Sequence, residues 1–224
     1  MLHTTHKLFP RIVCEGNISD TLLSELRAEA EIVFEEDRDW AHSLAGELEQ
    51  QVFWPLDKPG AAQLKEVLEA SCYHWLEEAE KAWPVKSSWN HWEYWIEVTQ
   101  LWLNKQVAGD YNPLHGHAQD FSGVLYLDVP DGMIPPDGHI VFTGPEGYSE
   151  KSFMCAFGQD FLPVPGQYFV FPAWQPHSVN PFRCDGERIS VAFNARIKVK
   201  EGWDKSPGYE EPAKRKPSKA KGFG

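Results

Sequence analysis

The sequence predicts a mainly β fold with N-terminal helices: an antiparallel sandwich or jelly roll that carries a helical layer on one sheet. Three observations lead to this prediction. Apolar residues recur at helical spacing through the first 90 residues. Beyond Trp89 the chain changes to short apolar runs that are separated by glycine and proline. The last of these runs, from Arg188 to Lys198, alternates between apolar and polar positions as a half-buried strand does.

Three amphipathic helices are predicted in the N-terminal part. The first covers Asp20 to Phe34, and the third, with the most regular apolar stripe, runs from Leu64 to Ala79 before Pro84 ends it. Between them, apolar residues four apart predict a second helix: Trp40, Leu44 and Leu48. Each helix has one apolar face to bury, so their aromatic side chains are interpreted as packing residues.

The strands are predicted from alternation and from short apolar runs. Trp92 to Val98 alternates, whereas Ser122 to Val129 is apolar on both faces, as in a strand buried from both sides. Shorter strands are predicted at His139–Thr143, Phe153–Phe157 and Gln167–Phe171. In the last strand we expect Arg188, Ser190 and Asn194 to face the barrel interior. The apolar set should face the helical layer: Ile189, Val191, Phe193, Ala195 and Ile197.

The 224 residues suffice for one domain with a sizeable core. We predict a single domain over residues 1–206, in which about 1–90 form the helical support and about 91–200 the jelly-roll core. Residues 207–224 are predicted to form a flexible basic tail, because they combine proline and glycine with Lys214, Arg215, Lys216, Lys219 and Lys221.

Charge and cysteine content narrow the classes of protein to consider. The net charge of −12 argues against binding to nucleic acid or to an anionic membrane. No apolar run approaches the roughly 20 residues of a membrane-spanning helix, and no signal peptide is recognised. The four cysteines are scattered without a CxxC pair, so a cytoplasmic location is predicted. The sequence gives no indication of oligomeric state.

A possible metal site begins with two histidines in the stretch YNPLHGH, His115 and His117. In an extended segment, residues two apart share a face at a separation of about 6.6 Å, so both imidazoles can reach one metal. A metal site with open positions needs a third ligand. His177, 60 residues beyond His117, follows an apolar strand and a turn between two prolines. The alternative is that all three are ordinary loop histidines without a metal.

Arg188 and Ser190 strengthen the metal interpretation. They lie eleven and thirteen residues after His177, on the polar side of an otherwise apolar strand. An arginine inside a barrel needs a partner, because burying an unpaired guanidinium is costly. A small dicarboxylate bound at the metal would provide one, and the forked guanidinium binds both oxygens of a carboxylate. The alternative is an internal salt bridge to one of the 33 Asp and Glu residues.

Four motifs in order carry a resemblance to a known family: LWLNKQVAGDYNPLHGH, SGVLYLDVP, GQYFVFPAWQPHSVNP and RISVAFN. From Trp102 to Ile197 the chain resembles the 2-oxoglutarate/Fe(II)-dependent oxygenases, in particular a small uncharacterised branch whose first motif is HxH. The resemblance implies a double-stranded β-helix, which is a distorted jelly roll. It also implies a hydroxylase that uses Fe(II) as cofactor and 2-oxoglutarate as cosubstrate, and that acts on an unidentified amino acid, peptide or small metabolite.

The resemblance also implies roles for individual residues. His115 and His177 would be iron ligands, and Arg188 would hold the distal carboxylate of 2-oxoglutarate, with Ser190 completing an Arg-x-Ser pair. Tyr126 stands where related enzymes contact the same carboxylate. Asn104 would bind the oxo-acid end of the cosubstrate.

Position 117 departs from the family pattern, because His117 stands where most members have Asp or Glu. A neutral imidazole there removes one negative charge from the ligand set. Three interpretations remain: an active three-histidine site, a site in which Asp120 supplies the acidic ligand, or a site that binds metal without catalysis. The first is favoured because the residues for the cosubstrate are all present.

Two other functional hypotheses remain open at this stage. One is a cupin-like dioxygenase, in which three histidines bind iron and the substrate, held by Arg188 and Ser190, takes the place of 2-oxoglutarate. The other is a noncatalytic jelly-roll binding module, with the tryptophan-rich segment from Trp89 to Trp102 as an aromatic platform.

Overall fold

The computed structural model describes residues 11–36, 39–43, 45–82, 93–144 and 158–200. Two helices accompany ten strands in this part of the chain: α1 (Asp20–Glu36) and α2 (Pro59–Ala82). The strands are β1 (Cys14–Asn17), β2 (Gln50–Phe53), β3 (Tyr94–Gln106), β4 (Asn112–His115), β5 (Phe121–Asp128), β6 (Ile140–Thr143), β7 (Gly158–Phe161), β8 (Gln167–Pro172), β9 (His177–Val179) and β10 (Arg188–Val199).

The strands form two antiparallel sheets. The larger sheet has the order β1-β8-β5-β10-β3-β2, and the smaller has the order β4-β9-β6-β7. The two helices pack on the larger sheet, where their apolar faces form the main core with the inward side chains of β3, β5 and β10. The predicted fold, a mainly β jelly roll with a helical layer on one sheet, is therefore confirmed.

Two of the three predicted helices are present. The hydroxyl of Ser19 accepts a hydrogen bond from the amide of Leu22 at 3.2 Å and so caps α1. The carboxylate of Glu29, on α1, accepts hydrogen bonds from the amides of Gly60 (2.8 Å) and Ala61 (3.2 Å) in the first turn of α2. One helix thus supplies the N-terminal cap of the other, which fixes how the two lie together on the sheet.

The second predicted helix is wrong. Residues 41–43 form a single 3-10 turn, and Gln50–Phe53 is strand β2 at the edge of the larger sheet. The backbone of β2 pairs with β3, with Gln51 opposite Asn104. The carboxylate of Asp39 holds the turn by accepting hydrogen bonds from the amides of Ala41 (2.8 Å) and Gln51 (3.0 Å). Apolar residues four apart fit a helix, but here the amides find partners in the sheet; Leu44 lies outside the described residues.

Strand β10 lies at the centre of the larger sheet, between β5 and β3. Its apolar face packs toward the helices as predicted, with Val191, Phe193 and Ala195 each no more than 1% exposed. The surroundings of its polar face change along the strand. Arg188 and Ser190 line an internal cavity, whereas Asn194, beside a register shift, donates a hydrogen bond to Gln100.

Gly123, in the SGV motif of β5, lies between two neighbouring strands of the same sheet, β8 and β10. A Cβ atom at this position would stand 2.2 Å from the carbonyl oxygen of Phe169 and 2.3 Å from a ring carbon of Phe193. No side chain fits there, so the glycine is required by the close approach of β8 and by the packing of β10.

Some predictions lie outside the described residues: the strand Phe153–Phe157, the beginning of the tryptophan-rich segment at Trp89 and Trp92, and the basic tail after residue 206. Strand β3 is longer than predicted, with 13 residues from Tyr94 to Gln106. In the described part of the chain, neither helix is long and apolar enough to cross a membrane.

Candidate active site and metal centre

A cavity of about 440 Å³ lies between the two sheets and is lined by strands of both. Its inner end is formed by polar side chains of β3, β5 and β10, and its outer end by the segment that leads into β2. Among the described residues that line it, Arg188 is the only one with a permanently charged side chain. The cavity therefore combines one buried positive charge with otherwise neutral walls.

Three histidines converge on this cavity. One ring nitrogen from each of His115, His117 and His177 lies within 4.8 Å of the other two. The pairing of β4 with β9 places His115 directly opposite His177. The amide of His117 donates a hydrogen bond to the carbonyl of Ala173 at 2.8 Å, which holds the end of β4 against the turn before β9. The sheet thus brings together side chains that are 60 residues apart in the sequence.

Backbone carbonyls orient two of the three rings. Nδ1 of His115 lies 2.7 Å from the carbonyl oxygen of Pro113, and Nδ1 of His177 lies 3.0 Å from that of Gln175. A carbonyl only accepts hydrogen bonds, so Nδ1 carries the proton in the neutral form of both rings, and Nε2 is then the nitrogen with the lone pair. This arrangement is typical of histidines that bind a metal through Nε2.

Burial also keeps two of these imidazoles neutral. Desolvation, with a smaller contribution from His115, lowers the pKa of His117 to about 4. Desolvation, together with the neighbouring histidines, lowers the pKa of His177 to about 3, against the opposing effect of its bond to Gln175. Neutral imidazoles offer lone pairs rather than protons near pH 7. The donor set therefore fits a divalent transition-metal ion such as Fe(II).

Asp120, the alternative acidic ligand, is not part of this cluster. Its carboxylate accepts a hydrogen bond from the amide of Ile197 at 2.8 Å, and its own amide donates to the carbonyl of Ala195 at 3.2 Å. Both contacts tie Asp120 to the backbone of β10.

Arg188 is buried, with 1% of its surface exposed. It donates hydrogen bonds from Nη1 to the carbonyl of Gly138 at 2.5 Å and from Nε and Nη2 to the amide oxygen of Gln106. No ion pair between Arg188 and a carboxylate occurs in the described part of the chain. Desolvation lowers its pKa, while Tyr126 and Asp110 act in the opposite direction. The internal salt bridge considered for Arg188 is thus not formed with any described residue.

Tyr126, Ser190 and Asn104 lie side by side across the larger sheet. Ser190 stands opposite Tyr126 on one neighbouring strand and opposite Asn104 on the other, and all three line the cavity. The hydroxyl of Tyr126 is buried and finds no hydrogen-bond partner among the described residues, and burial raises its pKa to about 12. The amide oxygen of Asn104 accepts a hydrogen bond from Gln51 at 2.7 Å.

The residues of this cavity that the sequence analysis missed include two that bond to predicted site residues: Gln106, the partner of Arg188, and Gln51, the partner of Asn104. Gln106 follows Asn104 by two positions on β3, so the alternation of a strand places both side chains on one face. The alternation in LWLNKQ indicates Gln106 only if strand β3 is known to extend to this residue. No comparable signal pointed to Gln51, because its segment resembled a helix.

The architecture and the site together define a class of protein: a double-stranded β-helix with three histidines that could hold a metal ion and a buried arginine in one cavity. Residues 100–194 match the family described as "Putative 2OG-Fe(II) oxygenase". Over these residues the chain is similar to the 2-oxoglutarate/Fe(II)-dependent oxygenases. It is an oxidoreductase with Fe(II) as cofactor and 2-oxoglutarate as cosubstrate, as the resemblance implied.

Solved structures share this fold. A prolyl-4-hydroxylase from Pseudomonas putida has a TM-score of 0.54 at 18% identity, with 83% of this chain and 93% of that chain covered. For the viral collagen prolyl hydroxylase of Paramecium Bursaria Chlorella virus-1 the TM-score is 0.51 at 14% identity, with 88% of this chain and 97% of that chain covered. HygX from Streptomyces hygroscopicus, crystallised with nickel, 2-oxoglutarate and hygromycin B, has a TM-score of 0.52 at 13% identity, with 83% of this chain and 82% of that chain covered. The search of curated proteins finds no match.

Proposed function

We propose that His115, His117 and His177 hold the iron of this oxygenase as a three-histidine site. The observation that carries the proposal is the convergence of three ring nitrogens, two of them with Nε2 freed by a carbonyl bond at Nδ1. Three neutral ligands leave the ferrous site with a formal charge of +2, whereas a carboxylate at position 117 would leave +1. Asp120 is not needed as a ligand, because its carboxylate holds the backbone of β10 instead.

Arg188, Ser190 and Tyr126 form the proposed site for the distal carboxylate of 2-oxoglutarate, and Asn104 is proposed for its oxo-acid end. Within the described residues, the buried guanidinium has no carboxylate partner and the buried phenol has no acceptor, and both facts support this assignment. The phenol remains a neutral donor near pH 7, because its pKa is raised. When bound, iron and 2-oxoglutarate would supply the chemistry that splits O2: one oxygen atom would enter the succinate formed with loss of CO2, and the other would enter the hydroxylated substrate. The protein residues orient the two partners and limit the access of water.

The proposal is tested by adding Fe(II) and then 2-oxoglutarate to the protein without oxygen. A weak visible charge-transfer band should develop only after the second addition, and admission of oxygen should release succinate. Succinate forms slowly even without the true substrate if turnover is uncoupled. Protein that retains iron but neither develops the band nor forms succinate would favour the cupin-like dioxygenase. Protein that binds no metal would favour the noncatalytic module.

The outer end of the cavity supports a proposal about the substrate. It is lined by apolar side chains that include Trp40, Leu48, Phe53 and Leu114, and no described residue there carries a charge. Phe53 and Leu114 are 45% and 58% exposed, so apolar surface is open at the mouth. Because desolvating a charge without a partner is costly, we propose that the group entering the cavity is uncharged and largely apolar. It would belong to an amino acid, a peptide or a small metabolite.

Capped amino acids test this proposal on the iron-loaded enzyme. N-acetyl amides of leucine and phenylalanine should raise succinate release above the background, whereas those of lysine and aspartate should not. Phe53→Lys should abolish the stimulation and leave the affinity for 2-oxoglutarate unchanged, because it adds a charge only at the mouth. Greater stimulation by the charged amides would contradict the proposal.

Two further properties are proposed from charge and cysteine content. The net charge of −12 supports a substrate other than nucleic acid. A cytoplasmic location is supported by three free cysteines in the described residues, Cys14, Cys72 and Cys184.

A further inference from the structure

Gln106 lies at the inner end of the cavity, directly opposite Arg188 in the pairing of β3 with β10. Its side chain is buried, with 3% of the residue exposed, and it lines the cavity. Its amide oxygen accepts two hydrogen bonds from the same guanidinium, from Nε at 3.2 Å and from Nη2. No carboxylate of the described residues forms an ion pair with Arg188, so Gln106 holds the positive charge without a direct ionic partner.

The orientation of the Gln106 amide follows from the chemistry of its partner. A guanidinium has five N–H donors and no acceptor, so only the amide oxygen can face it. The amide nitrogen then faces away from Arg188, and this Nε2 is buried without a partner in the described part of the chain. Arg188 uses three of its own N–H groups in the bonds to Gln106 and Gly138, which leaves two.

The hydroxyl of Tyr126 is a second buried donor without a partner among the described residues; Tyr126 lines the same cavity as Arg188 and interacts electrostatically with its guanidinium. Buried polar groups in folded proteins are almost always hydrogen-bonded, so two orphaned donors around one cation indicate a missing acceptor. A carboxylate suits this place, since its two oxygens accept about four hydrogen bonds and its charge matches that of Arg188.

We propose that Gln106 has two parts in binding the cosubstrate. Its oxygen positions the guanidinium of Arg188 without neutralising it, and its Nε2 donates, together with the hydroxyl of Tyr126, to the distal carboxylate of 2-oxoglutarate. Gln106 thereby contributes to selectivity for a dicarboxylic 2-oxo acid over a monocarboxylic one. The proposal rests on the proposed function of this cavity.

The experiment compares two acids of equal chain length, 2-oxoglutarate and 2-oxopentanoate, which lacks the distal carboxylate. Each is titrated without oxygen into Fe(II)-loaded wild type, Gln106→Met and Gln106→Glu, and the dissociation constants are measured by calorimetry. Gln100→Met is the matched control, since Gln100 lies on the same strand and lines the same cavity but bonds to Asn194. Its affinities for both acids should equal those of wild type.

Wild type should prefer 2-oxoglutarate. Gln106→Met should bind 2-oxoglutarate about tenfold more weakly, because a charge-assisted hydrogen bond is lost, and should bind 2-oxopentanoate as wild type does. Gln106→Glu should bind 2-oxoglutarate about a hundredfold more weakly, since its carboxylate neutralises Arg188 and repels the distal carboxylate of the ligand. Without ligand, the Gln106→Glu protein should unfold at a temperature no lower than that of wild type, because the arginine gains an ionic partner.

Two results would overturn the role of Gln106 alone: unchanged affinity of Gln106→Met for 2-oxoglutarate, or an equal loss for both acids, which indicates a merely structural side chain. A wild type that binds both acids equally well, or neither, would overturn the proposed function of the cavity and this proposal with it.

Discussion

Replacing His177 by alanine is expected to abolish the binding of Fe(II). His177 begins β9, stands opposite His115, and is 5% exposed, so no other described side chain of the cluster can take its place. Even the loss of a residue that only supports a ligand typically weakens metal affinity by about 10–100-fold, and the loss of a ligand should exceed this. Metal content after anaerobic loading and calorimetric titration with Fe(II) are the measurements.

The control for His177→Ala is His74→Ala, which removes an exposed histidine of α2 far from the cavity lining. It should retain full metal content. A second comparison separates the two possible ligand sets. His117→Ala should lose metal and Asp120→Ala should keep it, because the Asp120 carboxylate bonds to the Ile197 amide rather than facing the cluster. The reverse outcome would identify Asp120 as the acidic ligand and leave the enzyme class unaffected.

Arg188→Ala is expected to raise the dissociation constant for 2-oxoglutarate by one to several orders of magnitude. Each charge-assisted hydrogen bond contributes about 1.5–3 kcal/mol, and about 1.4 kcal/mol corresponds to a tenfold change. Arg188→Lys should fall between Arg188→Ala and wild type, because lysine keeps the charge but lacks the fork that binds both oxygens. Titration with 2-oxoglutarate under anaerobic conditions measures the effect, and succinate release gives an independent check.

Metal affinity distinguishes this effect from general damage. It should barely change in either Arg188 variant, since Arg188 is outside the histidine cluster. Arg183→Ala is the matched control, because Arg183 is five residues away, has an exposed side chain and forms an ion pair with Asp137 outside the cavity lining. If Arg188→Ala binds 2-oxoglutarate as tightly as wild type, the carboxylate site lies elsewhere in the cavity and the Arg-x-Ser assignment is wrong.

Local patterns predicted most of the elements, because each of them depends on which face of a segment is buried. The alternation in β10 separated Val191 and Phe193, which face the helices, from Arg188 and Ser190, which face the cavity. The stripe from Leu64 to Ala79 likewise predicted α2. A buried face has one period in a helix and another in a strand, so long stretches of either pattern are distinctive.

The pattern failed where a segment is short and lies at an edge. Trp40 and Leu48 are eight positions apart, as two turns of helix would allow, yet both line the cavity from the connection that precedes β2. What decides their conformation is the free edge of β3, which offers hydrogen bonds to Gln50–Phe53. A partner strand some 50 residues away leaves no local signal, so sequence periodicity could not indicate it.

The sequence by itself determined the class of fold, the order of the motifs and the types of side chain available for a metal and a carboxylate. Only the tertiary structure decided which of them meet. The pairing of β4 with β9 brought His177 to His115, the backbone of β10 took the carboxylate of Asp120, and Gln106 rather than an acidic residue became the partner of Arg188. Periodicity records the face that each residue presents, whereas strand register sets the distances between faces, and it arises from pairings between segments far apart in the chain.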